Sequence, residues 1–126
     1  ARPAQMPLPL GIMVETPSAA LRMEEFCGAV DFVSIGTNDL CQYVAAADRG
    51  NSQVADLADE VRETVVKMVR QIAQIAHDAA NPIEVCVCGD MASDPAWAGK
   101  LVAAGVDSLS VRAGMIAMIK QTIRQL

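Results

Sequence analysis

Aromatic side chains are almost missing from this chain. One Trp, one Tyr and two Phe make up 3% of its 126 residues. Val, Ile, Leu, Ala and Met must fill the interior, a diet that suits a buried parallel sheet under Ala-rich helices. No stretch approaches the roughly 20 apolar residues needed to span a bilayer. Residues 1–5, Ala-Arg-Pro-Ala-Gln, lack the charged, apolar and cleavable parts of a signal peptide. A cytoplasmic protein with no membrane partner is expected. Basic runs are missing too. The ten Lys and Arg are scattered, the net charge is −5 and the pI is about 4.7, which argues against a nucleic-acid partner. No Gly-x-Gly-x-x-Gly or Walker loop follows the first apolar run, so an open-sheet nucleotide binder is excluded. Cys27, Cys41, Cys86 and Cys88 show no Cys-x-x-Cys spacing, which removes zinc ribbons and thioredoxin-like motifs. Reduced, mostly buried thiols are expected. Cys86 and Cys88 are expected on opposite faces of one strand, making a disulfide or shared metal there improbable.

What is present is 52% hydrophobic and 20% charged, the balance of a folded chain. The length fits one domain or part of one. Apolar runs at 10–14, 31–35, 83–88 and 107–111 read as strands. Pro17 opens a helix over 18–28. A loop and short helical turn run from 37 to 48. A long amphipathic helix over 53–80 carries Val54, Leu57, Val61, Val65, Met68, Val69, Ile72, Ile75, Ala76 and Ala79 at helical spacing. A helix over 95–104 follows Asp94-Pro95, and one over 113–126 turns Ile116, Ile119, Ile123 and Leu126 inward. The alternation is β-α four times, which argues for parallel strands joined by right-handed crossovers. Four such units make a small open sheet or half of an eight-stranded barrel.

Three strand ends carry chemistry. They are Gly-Ile-Met-Val-Glu at 11–15, Ile-Gly-Thr-Asn-Asp-Leu at 35–40 and Val-Cys-Gly-Asp-Met-Ala at 87–92. In a parallel sheet such ends share one edge. Glu15 is either a metal ligand or a solvent-facing charge. Asp39 either caps the turn behind it or joins Glu15 as a second carboxylate. Neighbouring strands lie about 4.8 Å apart, so both can reach one hard cation, and Mg2+ suits a site of few protein oxygens, water and phosphate. Exposed amides of the 36–39 loop can hold an anion. Arg49 is either a surface side chain or a bidentate phosphate ligand. Cys88 is either one more buried thiol or a proton donor facing the same pocket. His77 reads as a helix-surface or core residue, Trp97 as packing and the methionines as core filler.

These stretches together resemble the phosphoenolpyruvate-utilising enzymes, with Enzyme I of the bacterial sugar phosphotransferase system as the nearest likeness and pyruvate phosphate dikinase and phosphoenolpyruvate synthase as cousins. The likeness runs from about Leu8 to Leu126. Its order and spacing, from residues 11–21 through 31–43 and 46–51 to 88–92, carry it. The resemblance implies an α/β fold of four β-α units forming the second half of a (β/α)8 TIM barrel, with residues 1–126 as the C-terminal half of the phosphoenolpyruvate-binding domain. It implies Glu15 and Asp39 as Mg2+ ligands, Asn38 and Asp39 beside phosphoenolpyruvate, Arg49 on its phosphate and Cys88 as the acid that protonates the enolate to pyruvate. It further implies phosphoryl transfer to a histidine on a separate domain, onward transfer to a phosphocarrier protein, and a homodimer. A non-catalytic half-barrel association module is the alternative. The chain departs from the family pattern at Asp90, where Glu is usual, at Ser93, where Gly is usual, in the segment 55–61, which replaces a Pro-containing loop, and at Arg112. The family's early strands, with further arginines, and its phosphorylated histidine are not in this sequence; His77 sits in no matching motif. A fragment that is a poor catalyst alone is expected.

Overall fold

A computed structural model describes residues 8–126 of the chain. An irregular lead-in is expected over 1–8, with Pro3 and Pro7; all of it but Leu8 lies outside the described residues. Four parallel strands form one sheet, β1 (Gly11–Val14), β2 (Phe32–Gly36), β3 (Glu84–Cys88) and β4 (Ser108–Leu109), in the spatial order β1-β2-β3-β4. Between and after them come α1 (Pro17–Leu21), α2 (Met23–Phe26), α3 (Thr37–Ala45), α4 (Leu57–Glu60), α5 (Arg62–Asp78), α6 (Pro95–Ala103) and α7 (Ile116–Ile123). Thr16 and Asp94 cap α1 and α6, accepting from Ala19 and Ala96 N–H at 3.3 and 2.9 Å, each ahead of a first-turn proline. No described helix is long and apolar enough to cross a membrane.

Strand periodicity sorts the sheet into two unlike faces. Val14, Ile35, Val87 and Leu109 stand in one row across the sheet, and Ile12, Val33 and Val85 in another. This face packs on Leu40, Val65, Val69, Ile72 and Leu101 of the helices. The opposite face carries Met13, Ser34, Cys86 and Ser108 in a row, with Phe32 below and Cys88 above. The described residues leave it uncovered: Met13 is 48% and Phe32 38% exposed.

Several expected elements are shorter or broken. The helix over 18–28 divides at Arg22 into α1 and α2. The helix over 53–80 is interrupted at Val61; its early part, α4, buries no residue fully and meets the core only through half-buried Ala58 and Val61, while Leu57 is exposed. The strand over 107–111 shortens to two residues because β4 pairs on one side only, although Asp107 and Ser110 N–H still reach Val85 and Val87 carbonyls. The final helix starts three residues late, after a 3-10 turn. Only Ile119 of its four expected inward residues is buried. Ile123 is half-buried, and Ile116 and Leu126 are exposed because no described element covers the far side of α7. Met13 and Met118 are likewise exposed and are not core filler.

All four cysteines are free, but only Cys41 is buried. Its Sγ donates to Met91 Sδ at 3.8 Å. Burial pushes this thiol from an ordinary value near 9 up to about 11, with Asp59 adding to the rise and Arg62 opposing it. The sign follows from linkage. Below pH 9 both folded and unfolded thiols keep the proton, so stability is complete; as pH climbs to 11 the unfolded chain alone loses it. Unfolding free energy should fall by roughly 2–3 kcal/mol over that interval. Urea titrations at pH 8 and 11 check this, and Cys41→Ala should flatten the decline relative to the parent chain.

Candidate active site

The sheet's C-terminal edge is built by two strand-to-helix junctions locked together. Gly36 ends β2 and serves directly as the N-cap of α3, so Thr37, Asn38 and Asp39 form the helix's first turn. This replaces the loop expected at 36–39. Thr37 is fully buried, and its hydroxyl donates to the Cys88 carbonyl at 2.8 Å. Asn38 Oδ1 accepts the Asp90 N–H at 2.8 Å. Between these two bonds the chain turns at Gly89, with φ +105°, where a Cβ would stand 2.4 Å from Thr37 Oγ1 and 2.8 Å from Asn38 Oδ1.

Glu15 follows β1 and lies over Gly36: a Cβ there would sit 3.0 Å from Glu15 Oε2. Gly36 is in register with Cys88 on β3. The Cys88 thiol is half-buried, donating to the Ile35 carbonyl at 3.5 Å and lying 3.8 Å from Met13 Sδ. Burial, then the charges of Cys86, Glu15 and Asp39, push it above its ordinary value, so it is protonated at neutral pH. Glu15, Asn38, Asp39 and Cys88 thus occupy one rim, as their strand-end positions predicted. Arg49 is exposed beyond α3. Ala46, in a left-handed conformation, closes that helix, and the Arg49 N–H donates to Gln42 Oε1 at 3.2 Å. Arg49 shares a cavity of about 100 Å³ with Asn38, Asp90 and Arg62.

The expectation that Cys86 and Cys88 face opposite sides is wrong. Side chains alternate with a period of two, so residues two apart share a face. Both lie on the uncovered face, in register with Ser34 and Gly36.

Some contributors were not singled out from sequence. Thr37 is the clearest; a hydroxyl between a strand-ending Gly and an Asn-Asp pair was the available signal. Arg62 is another. It bonds Asp59 at 2.5 Å, approaches Asp94 at 3.7 Å and lies 5.8 Å from the Trp97 ring centre, holding the divergent 55–61 segment against α6. The departures Ser93 and Arg112 meet: buried Ser93 Oγ accepts the Arg112 N–H at 3.0 Å, tying down the chain after β4. His77 is on the helix surface at the far end of the sheet. Its Nε2 is 2.9 Å from Asp107 Oδ2, which also accepts the Val85 N–H.

Comparison with known proteins decides the family. Residues 2–126 match the family described as PEP-utilising enzyme, PEP-binding domain. The chain belongs to the PEP-utilising enzymes. It is 42% identical over 115 residues to the phosphoenolpyruvate-protein phosphotransferase of Haloferax volcanii, covering 91% of this chain and 20% of that protein. It is 40% identical over 116 residues to a probable phosphoenolpyruvate synthase of Pyrococcus horikoshii, covering 91% and 14%. Against multiphosphoryl transfer protein 1 of Escherichia coli strain K12 the identity is 38% over 117 residues, covering 93% and 14%. The chain therefore spans a fifth or less of the length of these PEP-utilising relatives.

Among the described residues, no group of three or more His, Cys, Asp and Glu is placed to hold a metal. Glu15, after β1, and Asp39, in the first turn of α3, are the two carboxylates expected as ligands. Two hard carboxylates fit Mg2+, which keeps several waters and takes its remaining oxygens from a substrate.

Proposed function

We propose that this chain is the C-terminal half of a phosphoenolpyruvate-binding (β/α)8 barrel, and that its rim handles the enolate of pyruvate during phosphoryl transfer between phosphoenolpyruvate and a histidine carried elsewhere. The barrel reading rests on topology. Among the described residues, a sheet wound in the strict order 1-2-3-4, with helices packed on one face, has no element on its other face and no further strand at either edge. Closure with four more strands buries both. A groove of about 540 Å³ beside β4, lined by Val106, Leu109, Ile116 and Ile123 among others, supports this reading as an apolar surface that a neighbouring β-α unit would cover.

The chemical reading rests on one observation: the Cys88 thiol stands in register with the glycine over which the Glu15 carboxylate lies, with Asp39 one helical turn away. Glu15 and Asp39 hold Mg2+, which when bound offsets the charge of phosphate and enolate oxygens. Asn38 and Asp39 position the substrate, and Arg49 meets its phosphate in a bidentate grip. Cys88, kept protonated, delivers its proton to the methylene carbon as pyruvate forms. Synthases and phosphotransferases both appear among the relatives. The two activities need the same enolate, so this rim serves either direction.

The test is thermal unfolding with Mg2+ and phosphoenolpyruvate. Ligand at about 100 times Kd adds roughly 2.7 kcal/mol, and the parent chain should rise by several degrees. Asp39→Ala should lose the shift. A variant that keeps the full shift removes the metal assignment.

A further inference from the structure

The face of the sheet left open by the described residues carries a cluster of soft donors that shares Cys88 with the chemistry above and adds two side chains which that chemistry does not use, Cys86 and Met13. Cys86 and Cys88 project from the same face of β3, and Met13 reaches over from β1. Met13 Sδ lies 3.8 Å from Cys88 Sγ. Two sulfurs bonded to one ion at about 2.3 Å each, at a trigonal angle, stand about 4 Å apart. The Met13 side chain is already where a shared ion needs it. Thiolate and thioether sulfur select Cu(I) over harder divalent ions, whereas carboxylates such as Glu15, which lies over the Gly36 paired with Cys88, suit Mg2+.

We propose that Cys86, Cys88 and Met13 form a three-sulfur binding site for Cu(I). Binding is an acid–base exchange without redox change: both thiols lose a proton to solvent, two Cu–thiolate bonds form, and the Met13 thioether adds its lone pair. Occupation withdraws the Cys88 proton, so the site acts as a brake on enolate protonation. That consequence rests on the reading of Cys88 given above; the binding itself does not.

The experiment is competition for Cu(I) against bicinchoninate, under ascorbate, with the purified chain. The parent chain should remove one Cu(I) per molecule, and X-ray absorption should show three sulfur neighbours. Cys86→Ser should weaken binding by at least about 100-fold, since one of two thiolates is lost. Met13→Leu, which leaves both thiols, should weaken it by about tenfold and reduce the sulfur count to two. Cys41→Ser, which alters the buried thiol on Met91, should change nothing. Failure of the parent chain to take the metal, or parent-like affinity in Cys86→Ser, overturns the site. Full binding with no effect on deuterium exchange into pyruvate, measured in a longer chain that turns over phosphoenolpyruvate, would instead count against Cys88 as proton donor, leaving the site intact.

Discussion

Gly89→Ala should be the most destabilising single-methyl change at the rim, lowering stability by roughly 3–4 kcal/mol and the melting temperature by on the order of 10 °C. Two costs add. The backbone at φ +105° is strained for any residue with a Cβ, by roughly 1–2 kcal/mol. The new methyl also stands 2.4 Å from Thr37 Oγ1 and 2.8 Å from Asn38 Oδ1. Thr37 is fully buried and cannot retreat without giving up its bond to the Cys88 carbonyl, a loss of roughly 1–3 kcal/mol for a buried polar group. Gly28→Ala separates the two costs. Gly28 has φ +89° but no atom within 4 Å of its Cβ position, so only the backbone strain remains there. Paired urea titrations should show Gly89→Ala at least about 2 kcal/mol worse than Gly28→Ala. Equal losses would mean that the junction between α3 and the turn after β3 yields freely, and the locked rim would no longer stand.

That junction is also where sequence reading ran out. The strand ends were legible because each apolar run stops at a Gly or a charge and a helix-like segment follows. Parallel winding then places Glu15, Asp39 and Cys88 on one edge without knowledge of a single contact. The lock itself joins residues 51 and 52 positions apart, Thr37 to Cys88 and Asn38 to Asp90. Neither pair leaves a local signature. Where helix pieces were overextended, as at Val61 and after β4, the apolar spacing was real but its partner surface is not in the described chain. Leu57, Ile116 and Leu126 keep helical periodicity and remain exposed. Periodicity reports the face a residue offers, and burial needs something to face. The same reasoning explains Met13, a side chain on the face of the sheet that the described residues leave open.

Cys88→Ser, placed in a chain that carries the complete barrel, should lower pyruvate formation from phosphoenolpyruvate by about 100- to 1,000-fold, the usual worth of a positioned general acid, with little change in KM. Serine keeps the size and the hydrogen-bond reach toward the Ile35 carbonyl, where the thiol donates at 3.5 Å. It leaves the Gly36 register and the Glu15 carboxylate in place. Substrate and Mg2+ binding should therefore survive while the proton becomes far harder to release. The decisive readout is exchange of pyruvate methyl protons with deuterated solvent, which isolates the enolate step from phosphoryl transfer. Exchange should fall in parallel with turnover, and the loss should appear in kcat. The half-buried thiol beside Glu15 and Asp39 is held above its ordinary value, first by burial and then by its charged neighbours. Such a group keeps its proton at neutral pH and gives it up when the carbanion, a far stronger base, is presented at hydrogen-bond distance. If Cys88→Ser exchanges protons as fast as the parent, the thiol is a packing residue of the open face. The acid must then be sought on the strands that would complete the proposed barrel.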